Sequence, residues 1–313
     1  MKTFLCEYIH PEARRELETF SEIVSDWERL PECDALINRN LQLTGEILET
    51  AKKMKVIAVH GTGMDGVDLE TAKKLGIRVF NTPYRNAASV AELNIALMLM
   101  AARKVSRIQK HLQADDSFAE PAVVSGLQGI ELGGKTVAFL GIGEIAKKTI
   151  KICKCGFDMH CIGWSRSLTV ERAAELGIQY ADSIITAVKN ADFVVLGMAL
   201  NKETRGIIAE KELAAVKPGA ILINTARGAL VDETALLKAL TVRDKEGRTK
   251  LAAAGLDVVA EEPITSNHPL YKLPNVVLTP HIGANTEEAL YRVGMACVEG
   301  IKENALCFVE NVI

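Results

Sequence analysis

Short apolar runs alternate with amphipathic stretches from one end of the chain to the other. "TFLCEY", "ALIN", "VIAVH", "RVFN", "TVAFLGIG", "HCIGWS", "FVVLGM", "AILINTA", "AAAGLDV" and "NVVLTPH" have the length and β-branched content of strands. Between them "ELETFSEI", "TAKKLG", "SVAELNIALMLMAARK", "EIAKKTIKIC" and "ETALLKAL" carry the spacing of helices. Strand–helix–strand alternation predicts an α/β fold of doubly wound parallel sheets with helices on both faces. In "KKLGIRV" and "AELGIQY" a glycine falls just after a helix and just before a strand, where a C-cap belongs. The least periodic stretch, 111–135, reads as a linker or arm between domains. "TVRDKEGRTK" (241–250) reads as a charged surface loop.

A chain of 313 residues predicts two domains, each large enough for its own core. A net charge of −3 argues against a general nucleic-acid or polybasic membrane surface. The seven cysteines are scattered without a CxxC pair, which predicts reduced thiols, no metal site and a cytoplasmic chain. The N-terminal apolar run is too short for a signal peptide. The longest apolar run, "IALMLMAA" (95–102), is far short of a membrane span.

Candidate chemistry starts at the fifth of these apolar runs and the helix pattern after it, "TVAFLGIGEIAKK". Gly141, Gly143 and Ala146 form G-x-G-x-x-A between a strand and a helix. Gly141 makes the tight turn, Gly143 lets backbone approach a pyrophosphate, and Ala146 permits close helix packing. Some twenty residues on, where an NAD site would place a carboxylate against the ribose 2′-hydroxyl, the chain has Ser165-Arg166-Ser167. A guanidinium and two hydroxyls suit a 2′-phosphate, so NADP(H) is the preferred cofactor and NAD(H) the alternative. Three further segments place polar residues beyond strands: Arg227 in "NTARGALVDETAL", Asp257, Glu261 and Glu262 in "GLDVVAEEP", and His281 in "TPHIGANT".

Together with "ETRGII", "NTPYRNAASVAEL" and "GTGMDGVDLE", these motifs resemble the D-isomer-specific 2-hydroxyacid dehydrogenase family over most of the chain, in its glyoxylate/hydroxypyruvate reductase-like branch. The resemblance implies two Rossmann-like domains, with a dinucleotide-binding domain (103–286) inserted into a substrate domain (1–102 and 287–313). It implies a site in an interdomain cleft and a homodimer formed through the nucleotide domain and the arm near 103–130. It also implies roles. Arg227 binds the carboxylate and carbonyl of a 2-oxo acid. His281 acts as acid and base, and Glu262 (or Glu261 beside it) pairs with it and favours the imidazolium. Asp257 lies near the nicotinamide amide. Further cofactor contacts fall to Glu144, Ile145, Met198, Ala199 and Thr204, and to Thr225, Ala226, His281 and Gly283. The family's His-x-Pro segment is replaced here by "GMA" (197–199).

The run "HGTGMDGVDLE" then takes the substrate side. Gly61, Thr62 and Gly63 present backbone N–H groups to the carboxylate, and His60 and Arg85 line the pocket. Asp65 and Asp68 serve as turn and helix-capping residues. His10, His111, His160 and His268 read as incidental. The implied activity is reversible reduction of a small 2-oxo acid to the D-2-hydroxy acid by NADPH, with glyoxylate or hydroxypyruvate as candidates. The alternatives are an NAD-linked phosphoglycerate dehydrogenase-like enzyme and a dinucleotide-sensing regulator without turnover. A formate dehydrogenase is disfavoured, because that branch lacks a Glu partner for its His.

Overall fold

The computed structural model describes residues 1–114 and 127–309, so residues 115–126 of the expected arm lie outside the described residues. The chain divides into two compact units, one formed by 1–89 with 284–313 and the other by 90–283. The second unit therefore interrupts the first along the chain.

Unit 1 is a five-stranded sheet of β1 (Lys2–Leu5), β2 (Glu22–Val24), β3 (Ala35–Asn38), β4 (Val56–Val59) and β5 (Arg78–Asn81), in the order β2-β1-β3-β4-β5. Every pairing is parallel. The stretch "ELETFSEI" is not one helix: the helix stops at Glu18, and Glu22–Val24 enters the sheet edge beside β1. The C-terminal helix Glu287–Val309 closes one face of this sheet. Its Cys297, Val298 and Ile301 are buried with Leu5, Ala13, Leu17, Ile37 and Ala58.

Unit 2 is a seven-stranded parallel sheet of β6 (Thr136–Leu140), β7 (His160–Trp164), β8 (Gln179–Tyr180), β9 (Phe193–Leu196), β10 (Ala220–Asn224), β11 (Leu251–Leu256) and β12 (Val276–Leu278). The order is β12-β11-β10-β9-β6-β7-β8, so the winding reverses between β6 and β9. Every residue of β9 and β10 is buried, as a sheet covered on both faces requires. Phe139 and Phe193 are fully buried, and burial of such a side chain contributes about 2–3 kcal/mol.

Local signals are obeyed closely. Gly76 and Gly177 end their helices with φ of +70° and +63°, and donate back into the last turn. Two histidines that looked incidental are helix caps. His10 Nδ1 accepts from the N–H of Glu12, 3.2 Å away, and Nε2 reaches Glu287 at 2.8 Å. His268 accepts from the N–H of Leu270 in the same manner, and each is followed by a proline at the first helical position. The 241–250 excursion is an exposed hairpin-like loop with one antiparallel bridge, Arg243 to Thr249. Among the described residues no helix is long and apolar enough to cross a membrane.

Candidate active site

In an open parallel sheet, ligands collect beyond the carboxyl ends of the strands where the winding reverses. Here that point lies between β6 and β9, and Gly141 and Gly197 follow those two strands directly. A Cβ on Gly141 would fall 2.6 Å from the carbonyl carbon of Gly197, so only glycine lets the two strand ends close together. Gly143 then caps the helix Glu144–Phe157 without any side-chain acceptor for its first N–H groups. A Cβ on Gly143 would meet nothing within 4 Å. The chain thus offers an open cradle at a helix N-terminus, which fits the pyrophosphate of a dinucleotide. Ala146 is buried, as the tight packing behind the cradle demands. Glu144 pairs with Lys147 at 2.6 Å, and Ile145 takes the Thr149 hydroxyl on its carbonyl.

Ser165, Arg166 and Ser167 follow β7, with Arg166 and Ser167 exposed. The Arg166 guanidinium pairs with Glu203, 37 positions further on, a partner that the motif does not reveal. The loop that carries Met198, Ala199 and Glu203 is braced from within. The buried Thr204 hydroxyl donates to the Ala199 carbonyl at 2.7 Å and accepts from the N–H of Asn201 at 2.8 Å. Thr204 therefore shapes the loop with a hydroxyl that is already engaged.

The ends of β10, β11 and β12 lie side by side and carry the other polar residues. At the end of β10, the buried Asn224 holds a turn: its side chain accepts from the N–H of Ala226 and donates to the carbonyl of Arg227. Thr225 donates to Asn94 at 2.8 Å. Arg227 is half-buried, and one of its guanidinium nitrogens donates to the Ala226 carbonyl. Gly228 follows, and a Cβ there would fall 1.9 Å from the carbonyl carbon of Val259. This close approach packs the Arg227 turn against the "VVAEEP" segment.

Glu262, not Glu261, is the partner of His281. Its Oε2 lies 2.7 Å from His281 Nδ1, and its Oε1 accepts from the N–H of Val259 at 3.2 Å. One carboxylate therefore ties the histidine ring to the segment on which Gly228 packs. His281 itself has a left-handed backbone, φ +53°, a conformation that costs a non-glycine residue about 1–2 kcal/mol. Asp257 is 1 % exposed, and its carboxylate is directed at the backbone around His281 rather than at open space.

In unit 1 the run after β4 forms a tight loop. The Gly61 N–H is already engaged, with the Val59 carbonyl at 2.9 Å and the Thr82 hydroxyl at 3.1 Å. Thr62 is exposed and braced by Asn81 and Asn86. Asp68 caps the helix Leu69–Lys74 through the N–H and hydroxyl of Thr71. Arg85 is exposed, and its carbonyl accepts from Arg292.

His60 is only 4 % exposed, and neither ring nitrogen has a hydrogen-bond partner among the described residues. Burial, with a smaller contribution from Arg39, pushes its pKa down to about 4. The unfolded ring takes up its proton near pH 6.5, so between those values the unfolded chain binds more protons and acid weakens the fold. Lowering the pH from 6.5 to 4 should remove about 3 kcal/mol of stability through this ring. Urea midpoints measured across that range for the wild type and His60→Phe check this, and parallel pH dependences would refute it.

Comparison with known proteins identifies the family. Residues 95–283 match the family model described as D-isomer specific 2-hydroxyacid dehydrogenase, NAD binding domain. The chain is 42 % identical over 289 residues to a glyoxylate reductase of Thermococcus litoralis, covering 91 % of this chain and 83 % of that one. It is 39 % identical over 294 residues to a hydroxypyruvate reductase of Thermotoga maritima, covering 92 % and 91 %. It is 38 % identical over 312 residues to a D-3-phosphoglycerate dehydrogenase of Methanocaldococcus jannaschii, covering 97 % of this chain but 57 % of that one. The chain thus spans little more than half the length of that relative. Among solved structures, an acyclic imino acid reductase, Bsp5, in complex with NADPH and D-Arg superposes with a TM-score of 0.82 at 27 % identity, covering 98 % and 97 % of the two chains.

Proposed function

The chain belongs to the D-isomer specific 2-hydroxyacid dehydrogenase family, and on that footing we propose that it reduces a small 2-oxo acid reversibly to the D-2-hydroxy acid with NADPH. The observation that carries this reading is the 2.7 Å contact between His281 Nδ1, beyond β12, and Glu262, beyond β11, the strand that lies between β12 and the β10 strand leading to Arg227. With Nδ1 held by a carboxylate, Nε2 is the nitrogen left to hand over a proton. Arg227 binds the substrate carboxylate and carbonyl in a fork. A nicotinamide supplies or accepts the hydride when bound. As the carbonyl oxygen gains negative charge, His281 donates a proton to it; in the oxidation direction the neutral ring takes the proton back. Glu262 keeps the ring oriented and balances the imidazolium charge. In unit 1, the N–H groups of Thr62 and Gly63 serve the substrate carboxylate in this reading, since that of Gly61 is engaged. The same reading includes a homodimer in the cytoplasm, and sedimentation of the purified chain tests the dimer.

NADPH absorbance loss with a panel of 2-oxo acids, repeated with NADH, tests the activity. Turnover of glyoxylate or hydroxypyruvate is expected. Cofactor binding without consumption across the panel would favour a dinucleotide-sensing regulator instead. The Methanocaldococcus relative favours a second substrate class, phosphorylated 2-hydroxy acids. Arg85 is the candidate partner of a second anionic group. If it has that role, Arg85→Ala lowers kcat/KM by about tenfold for dianionic substrates only. An equal effect on glyoxylate removes it from the pocket.

Cofactor preference turns on Arg166. Ser165→Asp places a carboxylate where a 2′-phosphate would lie, and should swing kcat/KM toward NADH by at least ~100-fold. Glu203 competes with the phosphate for the same guanidinium. Glu203→Gln should therefore tighten NADPH binding by roughly three- to tenfold and leave NADH unchanged. Equal changes for both cofactors would show that Arg166 is not the discriminating group.

A further inference from the structure

We propose that Asp257 is a positioning residue for the acid–base step: it clamps the left-handed turn that aims His281. This inference rests on the proposed role of His281. Asp257 stands directly after β11, and His281 stands three residues beyond the end of β12, its neighbour in the sheet. Asp257 holds the turn from both sides of the histidine. Its backbone carbonyl accepts the N–H of His281 at 2.8 Å. Its carboxylate accepts the next two N–H groups along the chain, Ile282 on Oδ1 and Gly283 on Oδ2, both at 2.8 Å. The Thr279 hydroxyl, two residues before the histidine, donates to Oδ1 at 2.6 Å. Four donors from the five residues 279–283 thus converge on one side chain and its own carbonyl.

The geometry requires a carboxylate. Successive N–H groups point the same way only because His281 has φ +53°, and only an acceptor with two oxygens receives both without offering a donor in return. The turn is strained for a histidine, so something must hold it, and these bonds span it. Gly283 completes the fit, because a Cβ there would stand 3.0 Å from Asp257 Oδ2. Burial pushes the Asp257 pKa up, and the bonds from Thr279, Ile282 and Gly283 oppose that rise. The two carboxylates near His281 therefore have separate tasks. Glu262 sets the rotation of the ring, and Asp257 sets the direction in which the side chain leaves the backbone.

The test separates this role from direct cofactor contact. Asp257→Asn replaces one acceptor oxygen with a donor, which must face an N–H group or the Thr279 hydroxyl. With His281 mis-aimed by a fraction of an ångström or more, kcat should fall about 100-fold, while the NADPH dissociation constant and substrate KM stay within about threefold. Thr279→Val removes one donor at nearly constant volume and should lower kcat roughly tenfold, whereas Thr279→Ser keeps the hydroxyl and should restore it. The Thr279 pair decides the matter if Asp257→Asn does not fold. Loss of NADPH affinity in step with kcat would make Asp257 a cofactor contact and overturn the clamp. So would unchanged kcat in Asp257→Asn, or equal kcat in both Thr279 variants. His281→Gln, run in parallel, separates the two levels: if it retains kcat, the acid–base reading itself fails, whatever Asp257 does.

Discussion

His281→Gln lowers kcat for 2-oxo acid reduction by about 1000-fold and leaves the NADPH dissociation constant within about threefold. Glutamine keeps a polar group of similar reach, so the turn that Asp257 and Thr279 bind has no steric reason to open. What is lost is the ring nitrogen that exchanges a proton. The partner variant is informative for the opposite reason. Glu262→Gln keeps a hydrogen-bond acceptor 2.7 Å from Nδ1 but removes the charge that balances an imidazolium, so its loss should be smaller than that of His281→Gln. Steady-state kinetics with fluorescence titration of NADPH measure both quantities. A His281→Gln enzyme that loses cofactor affinity and rate together would place the histidine in binding rather than proton transfer.

Gly228→Ala is expected to be nearly as damaging, although it adds one methyl group outside the reacting atoms. The new Cβ would stand 1.9 Å from the Val259 carbonyl carbon, 2.0 Å from its oxygen and 2.4 Å from the Ala260 nitrogen. All three are backbone atoms, so no rotamer change relieves the clash. Either the Arg227 turn or the 259–260 segment must move. The second is tied to Glu262, whose Oε1 accepts from the Val259 N–H. Overpacking of this kind costs about 3 kcal/mol, a fall in Tm of roughly 6–12 °C for a unit of this size. A displacement near 1 Å between Arg227 and the His281–Glu262 pair should lower kcat/KM by about 100-fold in whatever fraction folds. Gly143→Ala is the contrasting control. Its Cβ meets nothing within 4 Å, so Tm should hold while NADPH binding weakens. Wild-type Tm and kcat/KM in Gly228→Ala would show that the two segments do not touch in solution.

What sequence alone reveals divides along physical lines. The cradle at Gly141 and Gly143 is legible because its cause is local: an apolar strand, a turn that excludes Cβ atoms, and a helix start. The positions of Arg227, Asp257 and His281 are legible because each follows the end of an apolar strand run within three residues. Other features depend on chain segments far apart. Nothing near Arg166 announces Glu203. Nothing near Gly228 announces Val259, 31 positions on, although the glycine after Arg227 was the available signal. The strand β2 is hidden because "ELETFSEI" spaces its apolar residues as a helix does, and pairing with β1 overrides that pattern. The capping histidines were legible in principle. "IHPEAR" and "NHPLYK" both set a proline at the first helical position, and that proline marks the residue before it as the cap.

The interruption of unit 1 by unit 2 sets an order of events at the ribosome. The first 89 residues emerge with the face of β1, β3 and β4 that Cys297, Val298 and Ile301 finally cover still bare. Residues 90–283 must be synthesised before that cover exists, a delay of roughly 10–40 s at usual elongation speeds. Unit 2 is contiguous and is free to close first. The nascent N-terminal segment is thus the stretch of this protein most in need of a chaperone, and slowing translation within 90–283 should lengthen its exposure and lower the yield of folded chain.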